Sequence, residues 1–385
     1  MLKIQYIFFI CTLFINFSSF AATIAAGNWH SLFLDIEGTV WYVGADSFDT
    51  DNNSSQNLVE KIANLPLIQS ISAAELHSLF LDIEGSVWCT DYNLYGQLGL
   101  GDNNYRKLPE KIANLPLIKS IAAGGSHNLF LDIEGGVWCT GNNGYGQLGL
   151  GDNNYRKLPE KITKMPPIQS ISAGGHYSLF LDIKGKVWST GYNAYGQLGF
   201  GDNNNRNLPE KIPNLPPIKS ISAGEAHSLF LDLEDNVWVN GYNKNYQLGL
   251  GDDNNISSPK KIPNLPPIRD IIAGIENSLF LDLQGNVWAV GYNRRGQLGL
   301  GNVIYVNLPK KIYDLPSIKY IALGNWHSLF LDIKGKVWST GYNAYSQLGL
   351  NDKINRNKLA KIENLPIIQA PNIKKPSKSA RKVAQ

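Results

Sequence analysis

Residues 141–152 read "GNNGYGQLGLGD", and the same loop stands fifty residues earlier as "DYNLYGQLGLGD" (91–102) and fifty later as "GYNAYGQLGFGD" (191–202). A single glycine-rich loop invites a phosphate cradle. That chemistry needs the loop between a strand and a helix N-terminus, where backbone donors face the anion. No Lys-Ser/Thr pair follows here and no window downstream has helical periodicity. Gly146, Leu148, Gly149 and Gly151 are better read as tight backbone turns that plug a leucine between repeating units. The loop builds rather than binds.

Working outward from it, tryptophan marks the period. Trp41, Trp88, Trp138, Trp188, Trp238, Trp288 and Trp338 recur at 50-residue intervals after a first gap of 47, a period of solenoids, propellers or arrays. Inside one copy, "HSLFLD" and "KVWST" are short runs of aromatic and branched residues, joined by "DIKG", a type I turn closed by a left-handed glycine. "LPEKI" and "PIKSISAG" read as two further strands around a Pro-rich turn. Four antiparallel strands per copy and seven copies over residues 24–369 predict an all-β, seven-bladed propeller. The repeats of the expected mature chain open in "TIAAGNWHSLFLDIEG" and finish in "KLAKIENLPIIQ". The two ends are complementary parts of one pattern, so the terminal strands are expected to share a blade.

The combination "GYNAYGQLGLGD", "ISAGGxHSLFLD" and "GxVWSTG" resembles the regulator of chromosome condensation repeat family. The resemblance spans all seven copies, although in the first "GADSFDTDNNSSQN" replaces the glycine loop. It implies a seven-bladed propeller and admits several roles. Similar propellers include a secreted bacterial inhibitor of β-lactamases, a plant light receptor and a guanine-nucleotide exchange factor for a Ran-type GTPase. Exchange in that member uses a wedge inserted from one blade, and six tryptophan intervals here run without an inserted residue.

Residues 1–21 differ in kind: a positive start, the apolar run "IQYIFFICTLFINF" and a small-residue site ending at Ala21. This is the pattern of a secretory signal peptide, so the protein is expected to be exported (periplasmic, extracellular or delivered to a host), with a propeller over 22–372 and a basic tail over 373–385. The formal charge of +3 is uneven. Lys374, Lys375, Lys378, Arg381 and Lys382 lie in the tail, which leaves the body near −3 and without the basic stripe a nucleic acid needs. Beyond the signal only Cys89 and Cys139 remain, one repeat apart and expected to be free, partly buried thiols.

Repetition argues against catalysis. His30, His77, His127, His227 and His327 share a slot that Tyr177 and Asn277 also fill, with His176 one position out of register, so a structural bond to neighbouring backbone is expected rather than a metal site. The aspartate that ends each "LFLD" (Asp35, Asp82, Asp132, Asp182, Asp232, Asp282, Asp332) reads as a turn cap. Equivalent acids do not supply the unlike pair that acid–base catalysis requires. No enzyme, cofactor or metal is expected, and a monomer with no membrane span in the mature chain follows.

The repeated tryptophans should pack between blades. Trp29 and Trp326, each in "GNWHSLF", stand outside that set. Ring closure makes their copies neighbours, either as seam packing or as an exposed aromatic patch. Other asymmetric positions gather around the glycine loops: Tyr95, Tyr105, Arg106, Tyr145, Tyr155, Arg156, Arg206, Arg294, Arg295 and Tyr305. The expected function is a non-enzymatic propeller that binds a protein partner through one rim. Nucleotide exchange on a Ran-type GTPase is the alternative, and carbohydrate or cell-surface binding a weaker one.

Overall fold

Why should "HSLFLD" bury every residue? In blade two it is the second strand, His77–Asp82, between the innermost Ile68–Ala73 and the third, Val87–Asp91, with Arg106–Lys111 outermost. Successive side chains of a strand point to opposite faces, and both faces of this sheet are covered by neighbouring sheets. Phe130 packs with Leu79, Leu81 and Val87 of the preceding blade, whereas its neighbours Leu129 and Leu131 pack with Ile168 and Phe180 of the following one. Burying each such side chain stabilises the fold by about 1.5–3 kcal/mol.

The computed structural model describes residues 22–45 and 56–369. The proposed signal peptide and basic tail lie outside the described residues. Those described form seven four-stranded antiparallel sheets, each in chain order, over residues 24–61, 68–111, 118–162, 168–211, 218–261, 268–311 and 318–361. Proline falls in the outermost strand, as at Pro109 and Pro159, where a missing ladder donor is tolerated.

One apolar cluster sits at each of the seven junctions. The repeat tryptophans are half-buried against these clusters, as expected: Trp138 lies against the cluster shared by blades two and three. Each indole also does something the sequence reading had not assigned. Asp82 Oδ1 accepts from the amides of Glu84 (3.0 Å) and Ser86 (2.8 Å), and Oδ2 accepts from Trp88 Nε1 at 3.0 Å. The turn cap therefore also holds the indole. Gly85 closes the turn at φ 89°, which L side chains avoid.

Ring closure is narrower than two blades exchanging whole strands. Residues 24–61 complete their own sheet, and the C-terminus contributes one bridge, Asp35 with Ile368. That bridge is the counterpart of Asp82 with Ile68, so Ile368 supplies the start of the first blade's innermost strand. Its amide donates to Gly335 O at 3.1 Å, and its side chain is buried with Phe33 and Leu331.

The strand order gives the disc two faces. The loops around residues 74–76 and 92–105, with their repeats, lie on one, here the loop face. The hairpins around 83–86 and the links around 112–117 lie on the other, the hairpin face.

Candidate partner-binding face

The glycine loops are rigid. Asn143 bridges both ends of its loop: Oδ1 accepts from Leu148 N (2.9 Å) and Nδ2 donates to Asp152 O (2.8 Å). Leu148 is buried at the junction with the next blade. At Gly146 (φ 84°) a Cβ would stand 2.5 Å from Asn207 Cα of that blade, so only glycine permits the approach. The building role read from the sequence is what these atoms do.

The histidines bond across blades, and here the expected backbone partner is corrected. His127 Nε2 meets Ser178 Oγ of the next blade at 2.9 Å, and Ser178 Oγ donates to Gln147 O at 2.7 Å. Because the serine proton goes to the carbonyl, imidazole Nε2–H is the donor to Oγ. The relay recurs as His227–Ser278–Gln247 and, across the closure, His327–Ser31–Gln347. His77 uses Asn128, which donates to Gln97 O. In these copies the side chain of the next blade that meets the imidazole also bonds a carbonyl of the glycine loop. Nδ1 of His77, His127, His227 and His327 is buried without a partner. Protonating it would bury an unsatisfied charge, and burial holds these imidazoles down to about 4 or about 3.

Asn277 is the exception. Its Oδ1 is buried without a partner, although Ser328 still donates to Gln297 O. Cys89 and Cys139 are free and wholly buried, deeper than expected, and burial pushes both thiols up, away from reactivity.

At the loop face the closure places the two unusual tryptophans on adjacent loops, where Asn325 N donates to Gly27 O at 3.2 Å. Both indoles are half-buried. Trp29 packs on Tyr345 of the neighbouring blade (centroids 5.3 Å apart) and Trp326 on Tyr292 (6.5 Å). His176 fills the same slot against Tyr145 at 5.4 Å. Seam packing and partial exposure thus coexist at Trp29 and Trp326.

The remaining candidates separate into two groups. Arg106 and Arg156 are committed to ion pairs in their own loops, with Asp102 and Glu110 and with Asp152 and Glu160; Arg206 repeats the arrangement with Asp202 and Glu210. Tyr105 reaches Asp91 at 3.5 Å. By contrast Arg294 and Arg295 are exposed, Arg295 lying over the Tyr342 ring (5.1 Å), and exposed Tyr155 meets Tyr95 edge-on. Sequence reasoning missed Tyr192, Tyr242, Tyr292 and Tyr342, which link the others into aromatic runs such as Tyr145–Tyr192–Tyr195–Tyr242 and Tyr246–Tyr305–Tyr292–Trp326. The repeated "GYN" after the third strand is the signal that marks them.

Inside this rim the central channel is lined by small residues such as Ala123, Gly124, Ala173 and Gly174, with Glu75 and Glu225 at the same mouth. Burial, reinforced by Glu225, raises the Glu75 carboxyl to about 7, and burial raises Glu225 as well.

Comparison with known proteins fits this geometry. The model of the RCC1-like domain matches residues 13–269, and RCC1 repeat models match 284–331 and 318–347. The chain belongs to the RCC1-like domain family. Among solved structures, this RCC1-like propeller is similar to Prp20p from Saccharomyces cerevisiae, in a study of its binding to Gsp1p and histones (TM-score 0.77, 23% identity, 86% of this chain and 88% of that one). It is similar to yeast RCC1 (Prp20) bound to Kap60 (TM-score 0.76, 23% identity, 91% and 86%). Human WBSCR16 is a third (TM-score 0.73, 22% identity, 80% and 84%). No curated protein sequence matches. At these identities the likeness establishes the fold of the RCC1-like chain.

Proposed function

We propose that this protein is an exported, non-enzymatic propeller that binds a protein partner through its loop face. One observation carries the reading: the positions at which the repeats differ, Trp29, Trp326, Arg294 and Arg295, join the repeated tyrosines on one rigid surface. Aromatic and arginine side chains anchor protein interfaces because they bury large area at small ordering cost. The apolar start of the chain supports export.

Nucleotide exchange on a Ran-type GTPase is the second reading, favoured by the likeness to Prp20p, whose structure was reported with binding to Gsp1p. The tryptophan spacing, in which no interval exceeds 50 residues, shows no inserted wedge and weighs against it.

Affinity capture with the purified protein, beside a Trp29→Ala/Trp326→Ala variant, tests the proposal. The variant should fold, and affinity for the captured partner should fall about thirtyfold or more. A folded variant that captures the partner normally would move the contact off this seam. Accelerated release of guanine nucleotide from a captured GTPase would replace the non-enzymatic reading with exchange.

A further inference from the structure

The hairpin face carries chemistry that the fold does not need. The residue after each turn aspartate projects at the hairpin tip, and it is Ile or Leu in every blade, from Ile83 at 36% exposed to Ile333 at 64%. The aspartate beside it is consumed by turn amides and the indole, but nothing in the turn requires an aliphatic tip. Because each tip occupies the same place in an equivalent sheet, the seven lie at one height around the channel. The outermost strand adds a second ring: opposite each repeat tryptophan stands a lysine, as in Trp188 with Lys211 and Trp238 with Lys261.

The tips are not equal. Ile183 (61%) and Ile333 (64%) are the most exposed. Both stand in the sequence "DIKGK", so an exposed lysine follows one and three residues later: Lys184 and Lys186 in the fourth blade, Lys334 and Lys336 in the seventh. Blades one, two, three and five carry Glu37, Glu84, Glu134 and Glu234 at the first of these positions. Ile368 ends beside the seventh hairpin, on Gly335.

We propose that the hairpin face docks on an anionic lipid surface, anchored by Ile183 and Ile333 with their flanking lysines. Aliphatic tips enter the headgroup layer while the ammonium groups meet lipid phosphates. A protein partner is read through positions that differ between blades, whereas one aliphatic tip repeated around a ring suits a fluid, planar surface. The glutamates of blades one, two, three and five confine the docking contacts to the fourth and seventh. Docking here leaves the opposite, loop face free, whatever that face binds.

Flotation of the purified protein with phosphatidylcholine vesicles, with and without phosphatidylserine, tests the assignment. The protein should float with the phosphatidylserine vesicles and less with phosphatidylcholine alone, and added salt should weaken it. Ile183→Ser/Ile333→Ser should lower partitioning about tenfold at unchanged melting temperature. Replacing Lys184, Lys186, Lys334 and Lys336 by Gln should do the same and flatten the salt dependence. Orientation provides a readout independent of affinity. In the protein without residues 1–21, whose Cys89 and Cys139 are buried, an environment-sensitive dye on Ile183→Cys should shift to the blue on vesicles, and one on Tyr195→Cys of the loop face should not. Absence of binding, variants that float like the parent, or a blue shift at Tyr195→Cys alone would each overturn the proposal. A parent that ignores vesicles yet loses a protein partner on the double Ile substitution assigns the face to protein and overturns the lipid reading.

Discussion

Acid should unfold this propeller through its own ring of hydrogen bonds. Burial holds His30 and His77 at about 4, and His127, His227 and His327 at about 3, against 6.5 for a solvated imidazole. Below pH 6.5 the unfolded chain therefore takes up protons that the folded chain refuses. Stability falls with pH through that window and levels off only beneath the folded values. Between pH 7 and pH 5 each histidine costs about 2 kcal/mol, and the set costs on the order of 9 kcal/mol. Four partly buried carboxyls oppose this. Burial raises Glu75 to about 7 and Asp270 to about 6, so the folded state protonates them first. These two offset about 3–4 kcal/mol over the same interval, and burial raises Glu225 and Glu276 in the same sense. For these five histidines and two carboxyls the balance is a loss of about 5–6 kcal/mol, a large share of the 5–15 kcal/mol that domains have. Urea denaturation at pH 7, 6 and 5 measures it. His127→Asn/His227→Asn should shrink the loss by about 4 kcal/mol, whatever its stability at pH 7. A stability that is flat from pH 7 to pH 5, or a double variant with the parent's slope, would refute the reasoning.

Three further outcomes follow from the same contacts. Asn277→His should restore the donor to Ser328 at the sixth junction and raise stability by about 1 kcal/mol, seen as a higher urea midpoint; an unchanged or lower midpoint counts against the relay. Asp132→Ala strands the amides of Glu134 and Gly136 and the indole of Trp138, and should cost about 2–4 kcal/mol in the same assay. Ile368→Ala removes the buried anchor of ring closure and should cost about 2–5 kcal/mol, whereas exposed Ile367→Ala should change little.

The period carried most of the fold. Tryptophan spacing set the blade count, and "LFLD" beside "VWST" gave strands, turn and cap, because those properties are local and repeat with the chain. The buried role of Leu148 was legible too, since a leucine among left-handed glycines has little else to do. What only the tertiary structure decided lies between residues about fifty apart or at opposite ends of the chain. The partner of His127 is Ser178, a serine that looks like any other in "YSLFLD" until the blades are stacked. The closure by Ile368 was visible as complementary ends, but its reduction to one bridge depends on how far residues 24–26 fill the strand themselves. Arg106 and Arg156 looked available because a sequence does not show which charges fold back on Asp102 and Asp152. The division of the disc into an aromatic face and an aliphatic one was likewise hidden. Alternate loops of a single chain reach opposite faces, and only the antiparallel pairing of the strands says which loop goes where.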